Sequence, residues 1–170
     1  LIVGEVIKGL KEARKRGELA SIGIDFWAVD YGLLDSANNL INTPHCYRDS
    51  RADKYFEAIP QELTPQYIYS KTGIQFLFFN TLYQLVAEKN EGNLNKASKF
   101  LMLPDLLNFI LCGSKTNEIT NASTTQLLNA FTRDWDWELI ERVGLPKEVF
   151  PKLHQPGVFL GNVRGFAELD

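Results

Sequence analysis

A chain of 170 residues with 45% hydrophobic content is long enough for one ordinary core, so a single domain is the default reading. Its 18 Lys and Arg against 21 Asp and Glu leave a net charge of −3, which offers no basic field for a phosphate backbone and argues against a nucleic-acid partner. Cys46 and Cys112 lack CxxC spacing and no apolar run reaches the roughly 20 residues of a bilayer span, so neither a disulfide framework, a zinc site nor a membrane anchor is expected, and a reducing cytoplasm fits.

The chain opens at Leu1, without an initiator Met and inside a helical pattern, as a piece of a longer protein would. Ile2, Val3, Val6, Ile7, Leu10 and Ala13 recur at helical spacing up to a stop at Gly17. Lys11, Arg14, Lys15 and Arg16 then coat the solvated face and C-terminal end of that amphipathic helix, where cations suit the dipole.

Next comes Ser21 to Asp35, whose apolar Ile22, Ile24, Val29, Leu33 and Leu34 predict two short buried strands, near 19–25 and 29–35. Between them Asp25, Trp27 and Asp30 gather two carboxylates and an indole. Pure core packing rarely does this, because an unpaired buried charge is costly. The end of a buried strand is instead a usual ligand position in an α/β protein. The two aspartates also have the chemistry of a paired acid and base for glycoside hydrolysis, but nothing else in the chain supports a glycosidase.

Asp35 to Asn39 reads as a turn. Within 44–51, Arg48, Asp49 and Arg51 form either an ion-pair network that orients a loop or one wall of a polar-ligand site. Residues 53–71 read as mostly helical, interrupted at Pro60 and Pro65 and closing on Lys71, Thr72 and Gly73. Gln75 and Asn80 then stand in a very apolar run, where a buried amide must find partners. A hydroxylated ligand would supply them, or the amides cap a helix or tie a loop. Asn80 also suits the N-cap of a helix running to about Asn90.

A short strand near 99–103 leads through Pro104 into an apolar helix ending at Cys112 and Gly113. Trp135 and Trp137 head a last amphipathic helix with Leu139, Ile140 and Val143, and from Pro151 onward the composition is loop-like and leads out of the domain. Asn121-Ala-Ser123 formally matches a glycosylation acceptor, which has meaning only in a secreted protein. Glycine-rich phosphate loops, HExxH and GxSxG are absent from the sequence, and His45 and His154 stand apart without ligand-like neighbours, so no metal is expected.

Six blocks resemble the rhamnulokinases in order: Ser21-Ile-Gly-Ile-Asp25 with Trp27 and Val29 to Asp35, Cys46 to Arg51, Thr72 to Gln75, Phe79 to Leu85, Leu101 to Asp105, and Thr120 to Leu127. Thr120-Asn-Ala-Ser123 is similar also to the wider FGGY carbohydrate kinase family. The resemblance covers residue 19 to about 161. It implies an α/β, ribonuclease H-like domain of the actin/hexokinase-like kind, with its N-terminal strands missing and a helix-rich remainder. Residues 1–161 would be part of the N-terminal, sugar-binding domain, and 162–170 the start of the connection to an absent C-terminal kinase domain.

The activity so implied is transfer of the γ-phosphoryl of ATP, with Mg, to the 1-hydroxyl of L-rhamnulose in rhamnose catabolism. The family's phosphate-cradling glycine hairpin and its His-Asp-Thr motif, which carries the base, would flank this chain. No catalytic residue is therefore expected within it, no ATP or Mg is expected to bind it alone, and by itself it should be catalytically silent and marginally stable. Ala28 stands where the family has a sugar-contacting glycine, and Phe26 where threonine is usual. With them Trp27 offers an apolar face to a deoxy-sugar, and Asp25, Asp30, Gln75 and Asn80 offer hydrogen bonds to its hydroxyls. The two departures keep open another FGGY ketose kinase, acting on fuculose or xylulose, and a non-catalytic sugar-binding relative.

Overall fold

The computed structural model of the chain describes residues 1–56, 59 and 63–166. Pro60, the expected helix break, and residues 167–170 of the expected connection lie outside the described residues.

Two strands organise the core. β1 (Tyr31–Leu34) pairs antiparallel with β2 (Lys99–Met102), in a register that sets Tyr31 opposite Met102 and Leu34 opposite Lys99. Side chains alternate across a strand. Tyr31, Leu33, Phe100 and Met102 thus enter the main core, while Leu34 and Leu101 join a second cluster with Leu103 and Leu106 of helix α5 (Leu103–Cys112). Gly32 lets that helix come close, since a Cβ there would stand 2.8 Å from Leu106 Cδ2 and 3.0 Å from Leu40 Cδ2. The outer edge of β2 is closed by one side chain. Asn117 Oδ1 accepts from the Met102 N–H at 2.9 Å and its Nδ2 donates to the Phe100 carbonyl at 3.3 Å, so a buried amide completes the ladder as a further strand would.

Other elements pack around this pair. α1 (Ile2–Arg14), α2 (Asp53–Phe56) and α3 (Pro65–Thr72) precede α4 (Thr81–Asn90), whose first eight residues are all buried. β3 (Asn117–Glu118) runs parallel to β6 (Leu153–His154), and α6 (Ile119–Ala122) follows β3. β4 (Leu128–Asn129) pairs with β5 (Asp134–Trp135) ahead of α7 (Trp137–Val143). Aromatic edges bind the core: Phe100 lies 5.1 Å from Tyr31, 6.1 Å from Trp135 and 5.5 Å from Phe150 between ring centres. The buried Trp135 donates its indole N–H to the Pro151 carbonyl at 2.7 Å.

Several expectations hold, and others are corrected. The strand near 99–103, the helix through Pro104 to Cys112 with Gly113 left-handed at φ +80°, and the helix through Asn90 all form. Residues 19–25 form no strand. They join no ladder among the described residues, although exposure still alternates from Ser21 to Ala28. The second strand is likewise confined to 31–34, where β2 pairs with it. Trp135 leaves the expected last helix for β5, and Asp136 caps α7 instead, accepting from the Leu139 N–H at 2.9 Å. The expected helix over 53–71 is present as α2 and α3, the latter starting at Pro65 behind a Thr64 cap.

Candidate functional site

Trp27 to Asp30 form an elbow between residues 19–26 and β1. Val29 turns it, with φ at +67°, a region that a β-branched residue occupies only under strain. The strain is held by convergent donors. The Val29 carbonyl accepts from Thr81 Oγ1 at 2.9 Å and from Gln84 Nε2 at 3.2 Å, while the Asp30 carbonyl accepts from the Leu103 N–H at 2.9 Å.

Thr81 and Gln84 continue into Glu88, spaced three and four apart, so one face of the otherwise apolar α4 carries a polar stripe. This stripe follows the chain from Val29 to Tyr31. Glu88 accepts from Arg51 Nη1 at 2.5 Å, from Asn93 Nδ2 at 2.6 Å and from the Tyr31 hydroxyl at 3.4 Å, and Arg51 Nη2 donates to that hydroxyl at 3.3 Å. Burial pushes the Tyr31 phenol well above its ordinary value, with the Glu88 charge adding to it. Tyr31 is therefore a neutral donor. The expected association of Arg48, Asp49 and Arg51 does not form. Asp49 caps the turn at 50–52 by accepting from the Arg51 N–H, Arg48 donates to the Tyr47 hydroxyl, and Arg51 is drawn to Glu88 because a buried carboxylate needs a cation.

Asp30 is 3% exposed. Its Oδ2 accepts from the Trp27 indole N–H at 2.8 Å, and the Tyr47 backbone N–H faces the same carboxylate, although Oδ1 has no partner of ordinary geometry. Desolvation raises the Asp30 pKa, opposed by the Trp27 and Tyr47 hydrogen bonds and by the Arg51 charge. Trp27 itself is 48% exposed and lies on Phe26, with ring centres 3.9 Å apart.

The other candidates divide. Exposed Asp25 and half-buried Ala28 line an open cleft of about 1070 Å³ together with Phe26, Asp105, Asn108 and His154. Asp105 is buried, accepts from the Glu118 N–H at 3.1 Å and lies 3.3 Å from His154 Nε2, which ties α5 to β3 and β6. Asn80 is buried. Its Nδ2 donates to the Gln75 carbonyl at 2.8 Å and to Gln126 Oε1 at 3.1 Å, while the Gln75 side chain is exposed. Asn80 occupies the N-cap position of α4 without a side-chain cap bond, and its amide fastens the 74–80 loop instead. Trp27, Ala28 and Asp30 thus share the elbow, but of the three only Ala28 lines the cleft, and Asn80 stands one residue from the Thr81 clamp. Asp25 sits at the cleft and the Gln75 side chain in solvent.

Sequence reasoning passed over Thr81, Gln84, Glu88 and Gln126. A signal for the first three was present, since polar residues at i, i+3 and i+7 in an apolar helix mark a face that must find buried partners. Gln126 shows no such pattern. Among the described residues no three His, Cys, Asp or Glu side chains gather where they would hold a metal ion, and no helix is long and apolar enough to cross a membrane.

Residues 4–167 match the N-terminal domain of the FGGY family of carbohydrate kinases. The chain is 45% identical over 166 residues to a rhamnulokinase of Oceanobacillus iheyensis, covering 96% of this chain and 35% of the relative. It is 43% identical over 164 residues to a rhamnulokinase of Bacillus subtilis, covering 96% and 34%. The chain thus spans about a third of the length of these relatives. Among solved structures it is similar to a xylulose kinase and a gluconate kinase of Lactobacillus acidophilus, each at 24% identity and 99% coverage of this chain, with TM-scores of 0.89 and 0.90 over 36% and 35% of those chains. The α/β fold is therefore that of the actin/hexokinase-like sugar kinases.

Proposed function

The chain belongs to the FGGY family of carbohydrate kinases, and from that premise we propose that it is the sugar-binding part of a longer kinase that transfers the γ-phosphoryl of ATP, with Mg, to the 1-hydroxyl of L-rhamnulose. The observation that carries the reading to a site is the elbow at Trp27–Asp30: strained backbone, held by buried donors, beside an exposed indole. Strain of this kind persists only where surrounding structure enforces it, and it gathers at ligand sites. Rhamnulokinase relatives at 43 to 45% identity support the choice of sugar.

In this reading the exposed face of Trp27 packs against the apolar edge of a 6-deoxy-ketose. Ala28 lets the sugar approach the backbone, and Asp25 and Gln75, both accessible, serve its hydroxyls. Asp30 and Asn80 are buried and support the elbow from behind. Phosphoryl transfer depends on positioning and on exclusion of water, so a rigid floor for the sugar contributes directly. ATP as donor fits a cytoplasmic location. The departures at Phe26 and Ala28 favour, as a second reading, another ketose of the same class.

A panel of L-rhamnulose, L-fuculose and D-xylulose, assayed with ATP and Mg on the longer kinase that contains this domain, tests the proposal. Preferred turnover of L-rhamnulose supports it. Preference for another ketose moves the assignment to the second reading, and turnover of none points to a sugar-binding relative without the chemistry.

A further inference from the structure

We propose that Asp30 is a positioning residue whose buried carboxylate tethers the Trp27 indole N–H and so fixes that ring as one wall of the sugar site; the second half of this statement rests on the sugar-kinase reading. A ring that is 48% exposed ordinarily gives its N–H to water and turns about its side-chain bonds. Here the N–H is held at 2.8 Å by a carboxylate three residues on, across the strained Val29. As a device for stability this is a poor one. A buried carboxylate is costly to desolvate, and an apolar residue of similar size would be buried without that cost. Besides the Trp27 indole only the Tyr47 backbone N–H faces the carboxylate, and Oδ1 has no partner of ordinary geometry, so hydrogen bonding does not offset that cost in full. What the carboxylate achieves is orientation. At 3% exposure it is too covered to meet a sugar itself, and acts on the ligand through the ring.

The backbone supports the same purpose. Thr81 and Gln84 lock the Val29 carbonyl, and the Leu103 N–H locks that of Asp30, so the carboxylate is presented from a fixed frame. Trp27 is then held at both ends, by Phe26 against its face and by Asp30 at its edge.

Indole exchange in the ¹⁵N-labelled 170-residue chain tests the tether, with Trp27→Phe assigning the resonance. The Trp27 N–H should exchange at least about tenfold more slowly in the native chain than in Asp30→Leu, a loss of the protection that a closed hydrogen bond confers. Asp30→Asn, which keeps an acceptor oxygen, should retain the protection. In the longer kinase Asp30→Leu should raise the KM for L-rhamnulose about tenfold with kcat within about threefold, since misplacing a binding wall weakens substrate binding without removing a reacting group. Equal exchange in native and Asp30→Leu chains overturns the proposal, as does a fall in kcat with KM unchanged. Should Asp30→Leu fail to fold, Asp30→Ala carries both tests, because it too removes the acceptor; unchanged exchange or an unchanged KM there also overturns the proposal. Failure of the sugar reading is seen separately, as absence of L-rhamnulose turnover by the native kinase with the exchange result intact.

Discussion

Val29 keeps its left-handed conformation because two side chains of α4 donate to its carbonyl, and Asp30 keeps its burial because Trp27 and Tyr47 donate to its carboxylate. The second arrangement has a pH signature. With a folded pKa above the unfolded one, Asp30 binds more protons in the native state, so its contribution to stability declines as pH rises through the interval between the two values. Asp30→Asn removes that decline and keeps the acceptor for Trp27. The stability of the variant relative to the native chain should therefore increase as pH rises above the ordinary carboxylate range and level off once Asp30 is ionised in the native state, as read from urea midpoints. A constant difference across that range would mean that Asp30 is not shifted. At this scale the sequence is informative about which residues are unusual and silent about their partners. Asp25 and Asp30 look equivalent in the string, yet one is exposed at the cleft and the other buried beneath an indole. Only the turn at Val29, which no residue type announces, separates them.

Among the elements, the polar stripe of α4 joins the elbow to the turn at 50–52 through Arg51 and Glu88. Arg51→Met would leave the Glu88 carboxylate buried without its cation and should cost roughly 3 to 5 kcal/mol in guanidinium unfolding, while Arg51→Met combined with Glu88→Leu should recover most of it. A double variant as unstable as the single would show that the pair is not the cause. The elements with local signals were legible. Pro104 and Gly113 bracket α5, whereas Pro65, read as an interruption, opens α3 behind a Thr64 cap. Residues 19–25 were misjudged, because a strand is a property of a pair, and alternation in one segment does not supply the ladder opposite it. α1 shares the same situation, with an apolar stripe in which no residue is buried. Hydrogen exchange should accordingly be fastest over residues 2–28 and slowest in α4, β1 and β2, whose backbone groups lie under the Phe100 cluster. Equal protection of both regions would contradict this division.

For the molecule as a whole, the fold unites a closed aromatic core with an elbow that core holds rigid. The family was legible from ordered strings such as Ser21-Ile-Gly-Ile-Asp25 and Thr120-Asn-Ala-Ser123, because they record backbone and contact requirements that composition does not. The sugar was less so, since Phe26 and Ala28 depart at the positions where the resemblance should speak. The chain spans about a third of its relatives, so its own contribution is best tested at its own site. The most direct measurement is a titration of the ¹⁵N-labelled chain with L-rhamnulose, read at the Trp27 indole resonance, beside the variant Ala28→Leu. The account predicts a saturable shift of that resonance in the native chain and its loss in a folded Ala28→Leu. A native resonance that does not move, or an equal shift in the variant, would contradict the assignment of the elbow as the sugar site.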